Sequence, residues 1–253
     1  MSNKIVIIGL GQLGAVFAHG FLRSGRTVVP VTRGVAQQEV AADVPRPELV
    51  LVAVGEADID AVLADVPDVW RDRVCLLQNE LLPYQWESHA IADPTVVAVW
   101  FEKKRNTGIT EIIPSPVAGP RAGLVAEALG GLGLRTQSID DITDDLILKN
   151  LYILVANIAG LEVGGTVGEL WSNHRALVDT VAGEILQIQS ALAERPTDDA
   201  DMIEALGEVF LADPGHGTKG RSAPHRLRRA IDHADRLGLR VPDLRRIAAA
   251  HIP

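Results

Sequence analysis

The spacing of apolar residues along the chain changes character near residue 140. Before that point, short apolar runs at 5–8, 27–31, 49–54, 74–78, 96–101 and 110–113 alternate with stretches whose apolar residues recur every three or four positions. Short apolar runs bounded by turn signals fit strands covered on both faces, as in a parallel sheet. Residues 12–24 place Leu13, Val16, Phe17, Gly20 and Phe21 at helical spacing, and Gly25 supplies a stop signal. Further helical patterns lie at 57–63 and 121–132, followed by a short strand-like piece at 134–139. Such alternation predicts an α/β fold, a parallel sheet with helices on both faces. Right-handed crossovers would then put a ligand at the carboxyl ends of the strands.

Beyond residue 140 only helical periodicity remains, at 141–161, 174–194, 199–211 and 223–237. In the second of these Leu177, Val178, Val181, Ala182, Ile185, Ile188 and Leu192 form one apolar stripe. Pro196 and the segment 213–217 read as loops between helices. The pattern therefore divides the chain into a Rossmann-like dinucleotide-binding domain, 1–140, and a smaller all-helical domain for substrate or dimerisation, 141–253. The stretch 146–161 is the most apolar of the later segments, but Lys149, Asn150 and Asn157 interrupt it, and it reads as a buried helix rather than a membrane span. The N-terminal apolar run is short and leads into glycines instead of a cleavage site, so it reads as the first strand.

Composition narrows the partners. Among 253 residues, 33 acidic against 24 basic give a formal charge of −9, without a long block of like charge, which disfavours nucleic acid. Cys75 is the only cysteine and sits in an apolar run, so neither a disulfide nor a metal cluster is expected, and a reducing cytoplasm fits best. A small-molecule substrate is expected, with no membrane partner; helical second domains of this kind are compatible with a homodimer.

The first apolar run ends directly in Gly9-Leu10-Gly11-Gln12-Leu13-Gly14. Placed between a strand and an amphipathic helix, this G-x-G-x-x-G has the context of a dinucleotide fingerprint, although a glycine-rich turn that binds nothing has the same letters. Gly9 would permit the tight turn, Gly11 the approach of a pyrophosphate, and Gly14 close packing of helix on strand. The helix N-terminus would favour the phosphate charge. After the second strand, where an acidic residue usually selects NAD, the chain has Thr32-Arg33. A hydroxyl and a guanidinium there can accept a 2′-phosphate, so NADP(H) is the expected cofactor; the alternative is a solvated loop charge.

Lys149 lies among apolar neighbours, and a charge in such a place needs a reason. Asn150 and Asn157 share a stripe at i, i+7, with Lys149 on an adjacent edge, so one polar edge of a buried helix can face a cleft. An ammonium there can donate a proton to a carbonyl oxygen, and partial desolvation moves its pKa toward a useful range. The alternatives are structural: Lys149 reaching solvent and pairing with Asp145, and the asparagines tying helices together.

Together these residues resemble the ketopantoate reductase family, over most of the chain. The resemblance rests on Gly9, Gly11 and Gly14, on Arg33, on Gln78-Asn79 after the fourth strand-like segment, on Lys149 with Asn157, and on the late Gly220-Arg221, Leu237-Gly238 and Pro242. It implies an NADPH-dependent reductase in which Lys149 is the general acid and Asn79 and Asn157 lie near nicotinamide and substrate. Asn157 matches the second of two asparagines on the lysine-bearing helix, but where the family has the first, four residues after the lysine, this chain has Ile153, and Glu80 and Gly55 stand where the family has glycine and lysine. The family carboxylate after Gly-Arg is absent from Gly220-Arg221-Ser222-Ala223-Pro224-His225, which points away from ketopantoate itself. Asn150, Arg221, Ser222 and His225 are the remaining candidates for substrate contact. The expected activity is reduction of a small, anionic 2-oxo acid or related carbonyl. The alternative is an NADP(H)-binding sensor or scaffold with lost or altered catalysis.

Overall fold

The computed structural model describes residues 3–103 and 108–252. The chain divides into two compact units, Met1–Asp145 and Leu146–Pro253.

The first unit contains β1 (Lys4–Ile8), α1 (Gln12–Arg23), β2 (Thr27–Val31), α2 (Gln37–Asp43), β3 (Leu49–Val52), α3 (Ile59–Ala64), β4 (Val74–Leu76), α4 (Pro83–Glu87), β5 (Thr95–Val97), β6 (Phe101–Lys103), β7 (Ile109–Glu111), β8 (Ser115–Ala118), α5 (Ala122–Gly130) and β9 (Thr136–Ser138). The main sheet is seven-stranded, in the order β2-β1-β3-β4-β5-β8-β9. Its first five strands run parallel. From β1 the chain crosses to β2 on one side and returns to β3 on the other. That reversal opens a crevice at the carboxyl end of β1, where such sheets bind ligands.

Ile5, Ile7, Leu49, Leu51 and Cys75 point to one face, where Phe17 and Phe21 of α1 and Val125 and Leu129 of α5 cover them. α1 and α5 approach closely because Gly20 faces Ala128; a Cβ on Gly20 would lie 2.5 Å from the Ala128 carbonyl oxygen. Burial pushes the Cys75 thiol well above its ordinary pKa, leaving it protonated and inert.

Two strand expectations differ in detail. The run 96–101 breaks into β5 and β6, and the predicted strand at 110–113 becomes β7, which pairs with β6 in a separate antiparallel hairpin. The place beside β5 is taken by β8, which runs antiparallel to it. Pro116 hid β8 from the hydrophobic pattern, since proline demotes a strand reading. The pairing tolerates it because the Pro116 carbonyl accepts from Ala98 N at 3.0 Å, a contact that needs no proline N–H.

The second unit is all-helical: most of α6 (Thr143–Val163), then α7 (Val167–Asn173), α8 (Arg175–Leu192), α9 (Asp199–Ala212), α10 (Ala223–Leu237) and α11 (Pro242–His251). α6 is long and apolar enough to cross a membrane, with mean hydropathy 1.6, yet 83% of that window is buried inside the protein's own fold, as expected of a core helix. The short α7 escaped the periodicity reading, but its start is chemically marked: Thr166 caps Glu169 N while the Glu169 carboxylate accepts from Thr166 N. α11 is held by Glu184 of α8, whose two carboxylate oxygens accept from Asp243 N and Leu244 N, both at 2.9 Å.

Candidate active site

The glycine turn between β1 and α1 has the stereochemistry that each position requires. Gly9 adopts φ +92°, a left-handed conformation that side chains resist, and a Cβ there would lie 2.7 Å from the Ala53 carbonyl oxygen. A Cβ on Gly14 would lie 2.2 Å from the Gly9 carbonyl oxygen, so α1 can start this close to the strand only with glycine. Gly11 differs from both, because nothing lies within 4 Å of its missing Cβ. Its bareness keeps space open above the turn. Gly11 is also the N-cap of α1; no side chain caps it, and the first turn carries no acidic residue. The positive end of that helix is thus left for an anion.

Above the turn lies a cleft of about 940 Å³ at the carboxyl ends of β1, β2 and β3. Gly9, Leu10 and Gly11 line it on one side, Thr32, Arg33 and Gly34 on another, and Val54, Gly55 and Val62 across from them. Thr32 and Arg33 are exposed at the end of β2, where an incoming ribose phosphate can meet them. Gln12 and Leu13 sit in the first turn of α1. Of the sequence-predicted cofactor residues, Gly9, Leu10, Gly11, Thr32 and Arg33 line this one cleft, Gln12, Leu13 and Gly14 form the first turn of α1, and Asn79 is not among the lining residues. The size, the bare Gly11 and the uncapped helix start fit a dinucleotide.

Asn79 lies half-buried after β4. Its neighbour Gln78 fixes this end of the sheet: Nε2 donates to Val52 O at 2.7 Å and Oε1 accepts from Leu77 N at 3.1 Å. Glu80 takes φ +61°, the left-handed conformation for which glycine is the ordinary choice. The residue type is unusual there, because this is a backbone conformation that glycine adopts freely.

In the helical unit, α6 carries a polar face through an apolar core. Lys149 is only 7% exposed, so it does not extend into solvent. Burial, and then the charge of Arg226, bring its pKa down to about 7. One turn on, Ile153 occupies the same face, and a further turn brings Asn157. The Asn157 amide is held at both ends: Nδ2 donates to Thr218 O at 3.3 Å, and Oδ1 accepts from Nη1 of Arg226 at 2.8 Å. Gly220 makes room, since a Cβ there would lie 3.0 Å from Asn157 Oδ1. Asn150 points elsewhere and donates to Gln189 Oε1 of α8 at 2.9 Å, tying two helices together.

The late candidates separate. Arg221 and His225 are exposed, and Ser222 is the N-cap residue of α10 without making a side-chain cap bond. The residue that bonds Asn157 and whose charge depresses the Lys149 pKa is Arg226, which the sequence reading passed over. A signal was present. Ala223, Leu227, Ala230 and Ala234 form the buried stripe of α10, and Arg226 falls within it, three residues after Ala223 and four before Ala230. A charge on the apolar stripe of an amphipathic helix marks a position with a task, as Lys149 does on α6.

A mostly parallel sheet bearing a glycine turn, followed by a helical unit whose first helix buries a lysine, defines a Rossmann-type protein with an all-helical second part. Compared by sequence, the chain matches no family model and no curated protein. Compared by structure, it has the fold of the ketopantoate reductases. It is similar to 2-dehydropantoate 2-reductase from Methylococcus capsulatus, with 16% identity, TM-score 0.70, and coverage of 98% of this chain and 95% of that one. The enzyme of the same name from Porphyromonas gingivalis W83 is 16% identical, with TM-score 0.67 and complete coverage of both chains, 100% each. A ternary structure of D-mandelate dehydrogenase with NADH and anilino(oxo)acetate is 14% identical, with TM-score 0.69 and coverage of 97% and 96%.

Proposed function

We propose that this protein is an NADPH-dependent reductase of a small 2-oxo acid or related carbonyl compound. The observation that carries this reading is Lys149, an amine buried in an apolar helix with its pKa brought down to about 7, where it both holds and releases a proton readily near neutrality. The fold it shares with ketopantoate reductases and a D-mandelate dehydrogenase supports a nicotinamide-dependent reaction at a 2-oxo acid.

The glycine turn would hold the pyrophosphate, and Thr32 and Arg33 the 2′-phosphate that distinguishes NADP from NAD. NADPH, when bound, supplies the hydride. Lys149 then acts as the general acid, passing a proton from Nζ to the substrate oxygen as negative charge develops on it. Asn79 and Asn157, the latter fixed by Thr218 and Arg226, would orient nicotinamide and substrate. The overall charge of −9 does not oppose an anionic substrate, because local charge governs a cleft.

The test is NADPH oxidation over a panel of 2-oxo acids, with wild type and Lys149→Met compared, alongside titrations with NADPH and NADH. Turnover that Lys149→Met abolishes while NADPH binding stays intact supports the assignment. Undiminished turnover in the variant removes the acid, and tighter NADH binding reverses the cofactor choice. A second reading, an NADP(H) sensor without turnover, is favoured by Ile153 standing where the family has an asparagine and by the absence of the family carboxylate from Gly220-Arg221-Ser222-Ala223-Pro224-His225. Cofactor binding without oxidation across the whole panel would establish it.

A further inference from the structure

The cleft above the glycine turn is lined by charges of both signs, and the cofactor assignment so far uses only one of them. Arg33 is the cation among its described lining residues, and Asp58 and Asp65 are the anions. The two carboxylates differ in what they already hold. Asp65 Oδ1 accepts from Nε2 of Gln38 at 3.0 Å, a bond that joins α2 to the end of α3. Asp58 is exposed, and its carboxylate makes no hydrogen bond or ion pair among the described residues.

That freedom has a local cause. Asp58 N donates to Gly55 O at 3.0 Å, closing the turn that starts α3, and buried Ile59 and Leu63 anchor the helix. The turn leaves Asp58 at φ −101° and ψ −8°, helical values, whereas a capping side chain works from an extended N-cap. Asp198, at the same position of α9, has ψ 104° and accepts from Ala200 N at 3.1 Å and Asp201 N at 3.3 Å. One aspartate serves its own helix; the other keeps its carboxylate for the cleft.

We infer that Asp58 is a cofactor-selecting residue: its carboxylate accepts from the adenosine ribose hydroxyls of NADH and repels the 2′-phosphate of NADPH, so that the cleft takes both dinucleotides. The inference deepens the cofactor reading and rests on it for the identity of the ligand. Arg33 pairs with the 2′-phosphate and tips the balance to NADPH, while Asp58 narrows the margin. No ion pair joins the two among the described residues, so neither charge is neutralised before a dinucleotide arrives. Rossmann proteins usually carry the ribose-binding acid at the end of the second strand. Here Thr32 and Arg33 hold that place, and the acid comes from the start of α3 instead.

The test measures binding. Fluorescence titration gives Kd for NADPH and NADH in wild type, Asp58→Asn and Arg33→Gln, at about 20 mM and about 300 mM salt. Asparagine keeps the shape of Asp58 and removes its charge, with no side-chain bond to lose, and thermal melting checks the fold. Wild type at low salt is expected to prefer NADPH by no more than about a hundredfold. Asp58→Asn should tighten NADPH about 3- to 10-fold and weaken NADH about threefold, with the NADPH gain shrinking at high salt. Arg33→Gln should weaken NADPH about tenfold or more and leave NADH nearly unchanged.

An equal ratio of NADPH to NADH affinity in wild type and folded Asp58→Asn overturns the inference and leaves the cofactor reading standing. A wild-type preference for NADPH beyond that hundredfold range overturns it as well. An NADPH gain as large at high salt as at low salt also does so, because its cause would not be charge. A protein that binds neither dinucleotide removes the cofactor reading and the role of Asp58 together. None of these outcomes depends on turnover, so loss of the reductase reading leaves them unchanged.

Discussion

Replacing Lys149 with methionine should stabilise the protein more at low pH than at high pH. An ordinary lysine has a pKa of 10.5, the value expected in the unfolded chain, whereas burial and Arg226 bring Lys149 down to about 7 in the folded state. Between those values the unfolded chain binds a proton that the folded chain has released, so stability rises with pH. Below about 7 both states are protonated and the full cost of burying the ammonium is present, roughly 5 kcal/mol from the difference in pKa. Above 10.5 both states are neutral and the cost is gone. Two pH units of this window lie between about pH 7 and pH 9, which makes the wild type about 2 to 3 kcal/mol less penalised at pH 9 than at pH 6.

Methionine fills much the same volume and does not titrate, so the advantage of Lys149→Met over wild type should shrink by that amount. Urea unfolding followed by helical circular dichroism, performed on both proteins at the two pH values, gives the difference of differences. Groups common to both proteins cancel in it. An advantage that stays constant between pH 6 and pH 9 to within about 0.5 kcal/mol would refute the reasoning, for it would mean that the amine titrates alike in folded and unfolded chains.

The same titration should appear in catalysis: kcat/KM for carbonyl reduction falls as pH rises through the Lys149 pKa, and oxidation of the matching 2-hydroxy acid rises through it. Lys149→Met should erase both limbs, and a limb that persists belongs to another group. At the glycine turn, Gly14→Ala puts a methyl 2.2 Å from the Gly9 carbonyl oxygen and should lower both Tm and NADPH affinity. Gly11→Ala, with nothing within 4 Å, should leave Tm nearly unchanged yet weaken NADPH binding about tenfold or more; NADPH fluorescence titration and thermal melting would expose any failure of that split. In the helical unit, Glu184→Gln removes the charge that meets Asp243 N and Leu244 N and should cost about 1 to 3 kcal/mol in urea unfolding, with NADPH binding unaltered.

The division between what the sequence revealed and what it concealed follows from the range of the forces involved. Gly9, Gly11 and Gly14 were legible because their constraint is local, a positive φ, an open space and a close backbone approach within one turn. The long helices were legible for a related reason, since a stripe such as Val178, Val181, Ile185 and Ile188 states which face is buried without naming the partner. β8 was concealed by Pro116, whose effect on a strand depends on which neighbour the missing N–H would have faced, and α7 by having too few residues for a period to show.

Arg226 marks the limit most clearly. Its bond to Asn157 spans 69 positions of sequence, and no periodicity in α10 identifies the helix that its stripe will meet. What sequence can supply is the anomaly: Lys149 and Arg226 are each a charge on an apolar face, and each would carry a burial cost in isolation. Two such anomalies on different helices are more informative than either alone. Tertiary structure brings Arg226 onto the face of α6 that carries Asn157, close enough for its charge to depress the Lys149 pKa, so the two anomalies meet in one neighbourhood.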